Sequence, residues 1–122
     1  MLICYDVRFP ELYRAYKKRQ TQVIFQSFYN ARAKGANIHT KIMRQNMQVR
    51  AATNYFHLSG NNSSGYYQSW PSVFILPDGT IKAACPQHKT SLIVNEISST
   101  DQFYDASKGH RERAMSGVLY SE

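Results

Sequence analysis

A chain of 122 residues with 43% hydrophobic content has room for one domain around one core, which excludes both a multidomain assembly and a disordered chain. No apolar run approaches the ~20 residues of a membrane helix, and Asp6, Arg8 and Glu11 interrupt the region where a signal peptide needs an apolar segment. The expectation is a cytoplasmic protein with no membrane partner. The net charge of +7 is uneven: residues 1 to 50 carry ten Lys and Arg against two acids, and residues 51 to 122 carry five against six.

In chain order, Leu2-Ile3-Cys4-Tyr5 reads as the end of a buried strand. Pro10 suits the first position of a helix, with Glu11 in the first turn where the helix dipole favours an acid. Leu12, Tyr13 and Tyr16 then form one apolar face, up to the positive end Lys17-Lys18-Arg19. Thr21 to Phe28, with Val23, Ile24 and Phe25, predicts a second buried strand, so the start of the chain is a β-α-β unit with a parallel strand pair. From about Asn37 to Asn54 the spacing of Ile38, Ile42, Val49 and Ala52 predicts a helix face, with Met43 and Met47 beside it.

Tyr55 to Leu58 resumes strand character, and the Gly, Asn and Ser of Ser59 to Gly65 predict a loop. Ser72 to Leu76, the turn Pro77-Asp78-Gly79 and Thr80 to Ala84 form a hairpin pattern. Ser91 to Ile97 predicts one more strand, and Arg111 to Met115 a short helix. No repeat, low-complexity segment or linker divides the chain. The fold class is α/β (α+β).

Cys4 and Cys85 are the two cysteines, and with no secretory signal both are expected as free thiols. A cysteine inside an apolar strand is most often a small buried hydrophobe. Cys4 differs by standing at a strand end just before a helix, where main-chain N–H groups and the helix dipole favour a thiolate and a developing oxyanion. Acyl-transfer enzymes hold a nucleophile on such a strand-to-helix turn.

The run Ile3-Cys4-Tyr5-Asp6-Val7-Arg8-Phe9-Pro10-Glu11 closely resembles the nucleophile motif of the nitrilase superfamily of carbon-nitrogen hydrolases, ICYD-x-RFPE. Arg50-Ala51-Ala52-Thr53-Asn54-Tyr55 with Asn61-Asn62 resembles the family's RA-x-EN segment and the Asn-rich loop after it, and Ser72 to Gly79 its S-x-x-x-x-P-x-G hairpin. The resemblance implies that residues 1–122 are the C-terminal portion of one such domain, part of a four-layer α-β-β-α sandwich whose protomers commonly pair. It implies Cys4 as the nucleophile toward a small-molecule amide or nitrile, through a thioester-type acyl-enzyme, with the Tyr5 backbone N–H in the oxyanion hole. The family's Glu base and stabilising Lys lie upstream of the Cys, where this chain has three residues, so neither maps onto it and the isolated chain is expected to be incomplete or inactive. Glu11 is expected as structural support, in an ion pair with Arg8 or Arg14 that braces the turn. No cofactor is implied.

Other constellations compete. A Cys-His hydrolase could use His39, His57, His88 or His110, and spacing selects none of them. Cys85-Pro86-Gln87-His88 is half of a zinc pattern with no second pair, and reads more simply as a turn, so no metal is expected. Asn61, Asn62, Tyr66 and Trp70 are candidate substrate-pocket residues, with core packing as the alternative for the aromatic rings. The basic first half could contact phosphates, but no nucleic-acid module is recognisable and no nucleic-acid partner is expected. The partners expected instead are a second copy of the chain or a separately encoded N-terminal half, and a non-catalytic subunit is the alternative to an enzyme.

Overall fold

The computed structural model describes residues 1–29 and 38–117, without the side chains of residues 38 and 39. Its elements are β1 (Leu2–Ile3), a 3-10 turn (Cys4–Arg8), α1 (Pro10–Lys18), β2 (Val23–Ser27), α2 (Ile38–Asn54), β3 (His57–Asn61), β4 (Val73–Ile75), β5 (Ile81–Ala84) and α3 (Arg111–Met115). The strands form one sheet in the order β1-β2-β3-β4-β5. β1, β2 and β3 are parallel, each pair joined through a helix, and the β4-β5 hairpin continues the sheet antiparallel.

One face of this sheet is closed. Leu2, Ile24, Leu58, Val73 and Ile75 pack against Tyr13 of α1 and Met43, Met47 and Ala51 of α2, all buried. Tyr13 donates its hydroxyl to Gln26 Oε1 beneath the helix. The position of Gly60 follows from the closeness of α2, since a Cβ there would come within 2.9 Å of Met47 Sδ. Of a four-layer sandwich, these residues form one helix layer and one sheet layer.

The strand expected over Leu2 to Tyr5 stops at Ile3, where the 3-10 turn takes over, and three further expectations differ from what the structure shows. The buried stripe of α2 is Met43, Met47, Ala51 and Asn54, while Ile42 and Val49 face outward, because the helix carries apolar residues on two sides and the sheet takes only one. The strand expected over Tyr55 to Leu58 begins at His57 and runs through Ser59, Gly60 and Asn61. Pairing of His57 to Asn61 with Val23 to Ser27 overrides their loop-like composition. The segment Ser91 to Ile97 forms no strand: Leu92 and Val94 are 87% and 86% exposed, and β5 meets it through a side chain, Lys82 Nζ to Glu96 O, rather than a backbone ladder. The predicted hairpin is present, closed by Gly79 N to Leu76 O (2.9 Å) with Gly79 at φ +88°. No described helix is long and apolar enough to cross a membrane.

Candidate functional site at the carboxyl ends of the parallel strands

The three parallel strands end level with one another, with Ile3, Ser27 and Asn61 on one rung. Ligands of parallel sheets gather at this carboxyl edge, and Cys4 is the next residue beyond it. The backbone is extended at Ile3 (φ −129°) and turns abruptly into the left-handed region at Cys4 (φ +37°). A non-glycine residue in that region is uncommon and costs ~1–3 kcal/mol unless its surroundings impose it.

The surroundings here are specific. Ile3 N donates to Asp6 Oδ2 (2.8 Å) and Phe9 N to Asp6 O (3.0 Å), so Asp6 closes the turn from both its side chain and its backbone. Val7 is fully buried, and Arg50 of α2 donates Nε to the Val7 carbonyl (3.3 Å), tying the turn to the helix layer. The Cys4 side chain is half-buried, and its Sγ lies 3.9 Å from the Tyr29 carbonyl just past the end of β2, the reach of a weak S–H donor. The turn thus presents a free thiol, strained at its own backbone, beside the ends of two parallel strands.

The other residues singled out from the sequence are placed as follows. Tyr5 is the second residue of the 3-10 turn, its ring exposed and covered by the Arg8 guanidinium at 4.2 Å from the centroid. Glu11 is exposed in the first turn of α1 and, among the described residues, pairs with neither Arg8 nor Arg14. The brace comes from Asp6 and Arg50 instead. An acid three residues after the strand end was the sequence signal for Asp6, whereas Arg50 and Tyr29 arrive through long-range packing that no local pattern announces.

Asn61, Asn62, Tyr66 and Trp70 do not share one cavity. Asn61 lines a space of about 130 Å3 with Phe74 and Asn95, and Asn62 one of about 220 Å3 with Cys85 and His88. Asn62 Nδ2 donates to Trp70 O (2.7 Å) and its Oδ1 accepts from Ser63 N (3.0 Å), so the amide holds the loop in shape. Trp70 is 5% exposed and packs edge-on against Phe28 at 4.7 Å, while Tyr66 stands in solvent against Tyr67 and His88. Cys4 and Tyr5 line neither of these two spaces.

The described histidines make their contacts away from Cys4. His57 lies between Phe74 and Phe103, His88 sits with Nδ1 3.1 Å from Gly65 O, and His110 contacts Arg113. The side chain of His39 falls outside the described residues. No group of three His, Cys, Asp or Glu side chains able to hold a metal ion occurs among the described residues.

The motif and this turn coincide with the match to a known family: the model for the carbon-nitrogen hydrolases covers residues 1–102. The chain belongs to the carbon-nitrogen hydrolase family. Solved structures agree. The amidase of Nesterenkonia sp. AN1, solved as a mutant with the acetamide moiety of fluoroacetamide added covalently at the active-site cysteine, superposes at TM-score 0.58 with 25% identity, covering 70% of this chain and 33% of the amidase. The NitN amidase from the same organism superposes at TM-score 0.69 with 22% identity over 97% of this chain and 44% of that one, and shows the shared fold. The NitFhit protein of C. elegans matches at TM-score 0.57 and 27% identity, over 70% of this chain and 22% of its own. This hydrolase-family chain spans less than half the length of those proteins. Among curated protein sequences, none matches it.

Proposed function

We propose that the chain carries the nucleophile of an amidase-like hydrolase of small, non-peptide C–N bonds, and that Cys4 is that nucleophile. The observation that carries this is the left-handed backbone at Cys4, inside the matched motif and beyond the carboxyl ends of the parallel strands. In the reaction, Cys4 Sγ, having given up its proton to a base, bonds to the amide or nitrile carbon. For an amide, negative charge develops on the carbonyl oxygen, toward which the Tyr5 N–H donates. The C–N bond then breaks, the amine leaves with the proton, and water hydrolyses the thioester to return the thiol. Arg8 acts structurally, by covering Tyr5, and of the pocket candidates Asn61 stands nearest in register, on the rung of Ile3.

The base and the cationic stabiliser are proposed to come from a separate N-terminal half, so the chain alone is incomplete. The open face of the sheet supports such pairing: Ile3 on β1 and Phe25 on β2 share that face, two residues apart in register, 59% and 57% exposed. A second copy of the chain is the alternative occupant, and a purely non-catalytic subunit the alternative role.

Fluoroacetamide separates these readings. Mass spectrometry is expected to find the acetamide adduct on Cys4 ahead of Cys85, with ammonia release from small amides no greater than in Cys4→Ser. Equal labelling of both thiols removes the nucleophile assignment. Turnover by the chain alone removes the incompleteness but keeps the nucleophile.

A further inference from the structure

At the opposite end of the sheet, before β2 begins, the structure holds a cavity that the Cys4 chemistry does not use. It measures about 480 Å3, within the usual range for small-molecule sites, and is walled by Tyr55, His57, Ile97 and Phe103, with Lys17 and Asp101 among its polar groups. The aromatic wall is fixed. The Tyr55 hydroxyl donates to Phe103 O (3.2 Å) and accepts from Phe103 N (3.1 Å), and Phe103 meets the buried His57 ring edge-on at 5.5 Å.

The cation in this wall is under-matched. Lys17 is half-buried, and its ammonium, which has three donors, makes one hydrogen bond among the described residues, to the Tyr55 carbonyl (3.2 Å). The neighbouring Arg111 is already matched by Asp105, to which it is joined through both terminal guanidinium nitrogens. Burial first and then the Arg111 charge push the Lys17 pKa down, and Asp105, already joined to Arg111, offsets them only in part. Asp101 is exposed, where water screens it.

We infer that this cavity is a second binding site, for a small organic anion whose apolar ring fills the space among Tyr55, His57 and Phe103 while its carboxylate meets Lys17. An aromatic monocarboxylate has that size and charge. The site is distinct from the one proposed around Cys4, because β2 separates Gln22 from Phe28 by about 20 Å at the usual rise per residue.

Titration calorimetry of the full chain with sodium benzoate at low salt is expected to show saturable one-to-one binding, unchanged in Cys4→Ala and in the exposed neighbour Lys18→Met. Lys17→Met should weaken it roughly ten-fold, the scale of one lost charge-assisted contact. Benzyl alcohol, the neutral analogue, should bind the native chain more weakly by a similar factor, which tests the charge without any substitution. Non-saturating benzoate heats, benzyl alcohol binding as tightly as benzoate, or a folded Lys17→Met with native affinity each overturns the proposal. Loss of benzoate binding in Cys4→Ala also overturns it, by placing the ligand at the thiol instead.

Discussion

The two faces of the sheet are built from the same strands and have opposite fates. On β2, Ile24 and Gln26 are buried beneath α1 and α2, while Phe25 between them stands 57% exposed. Strand alternation alone would pair a buried face with a polar one. Here both faces carry apolar side chains, and the exposed one is where the proposed partner would add a layer. The closed face therefore governs the chain's own stability, and the association proposed above would fall to the open one.

The largest expected effect lies at the centre of the closed face. Leu58→Ala, at a fully buried position of β3, should cost ~2–5 kcal/mol, read as a lowered urea midpoint with unchanged slope. A loss below ~1 kcal/mol would mean that the helices do not pack on the sheet as described. Next in size is Arg111→Ala. Arg111 fastens the segment after residue 97 by donating Nε to Thr53 O (2.8 Å) and its other nitrogens to Asp105. Its loss leaves the Asp105 carboxylate with the Ser107 N–H (3.1 Å) but no cation joined to it, at ~1–3 kcal/mol, and protease sensitivity should rise between residues 97 and 110 ahead of the sheet.

How far the sequence foretold this division depends on the range of the interactions involved. The β-α-β start and the β4-β5 hairpin were legible because strand length, Pro10 and Asp78-Gly79 are local signals. The α2 face was misread because Ile42 and Val49 match helical spacing as well as Met43 and Met47 do, and only the sheet beneath decides between them. Asn61 could be foreseen as polar but not as the rung-mate of Ile3, since that register is set through β2 between strands far apart in sequence. At the site, the motif pointed to Cys4, but the Asp6 and Arg50 brace replaced the expected Glu11 pair because the turn is 3-10 and places Asp6 where it reaches the Ile3 N–H.

A smaller effect tests the strip where the open face is partly covered. His57, packed between Phe74 and Phe103, has its pKa pushed below the usual histidine range, chiefly by burial. The unfolded chain therefore binds a proton more readily than the folded one, and stability falls as pH drops below about 6.5, levelling off once the folded-state pKa is passed. Asp105, held below its ordinary value first by its Arg111 hydrogen bonds, adds a separate loss only in stronger acid, below about 4. Denaturant midpoints against pH should show the first decline in the native chain and not in His57→Phe. A native profile flat between pH 7 and 5 would place His57 in water.

The smallest change in stability belongs to the open face itself. Phe25→Ser replaces a ring that contributes little to the folded monomer, since more than half of it already meets solvent, and should shift the chain's stability by no more than ~0.5 kcal/mol. Its consequence lies in association. If Ile3 and Phe25 form the seat of another layer, light scattering should find the native chain self-associated and Phe25→Ser shifted toward monomer, with the urea midpoint unmoved. A native chain that melts sharply as a monomer, and is unaltered by Phe25→Ser in light scattering, would mean that this face needs no cover. The division between the two faces would then be a matter of composition alone, with no bearing on assembly.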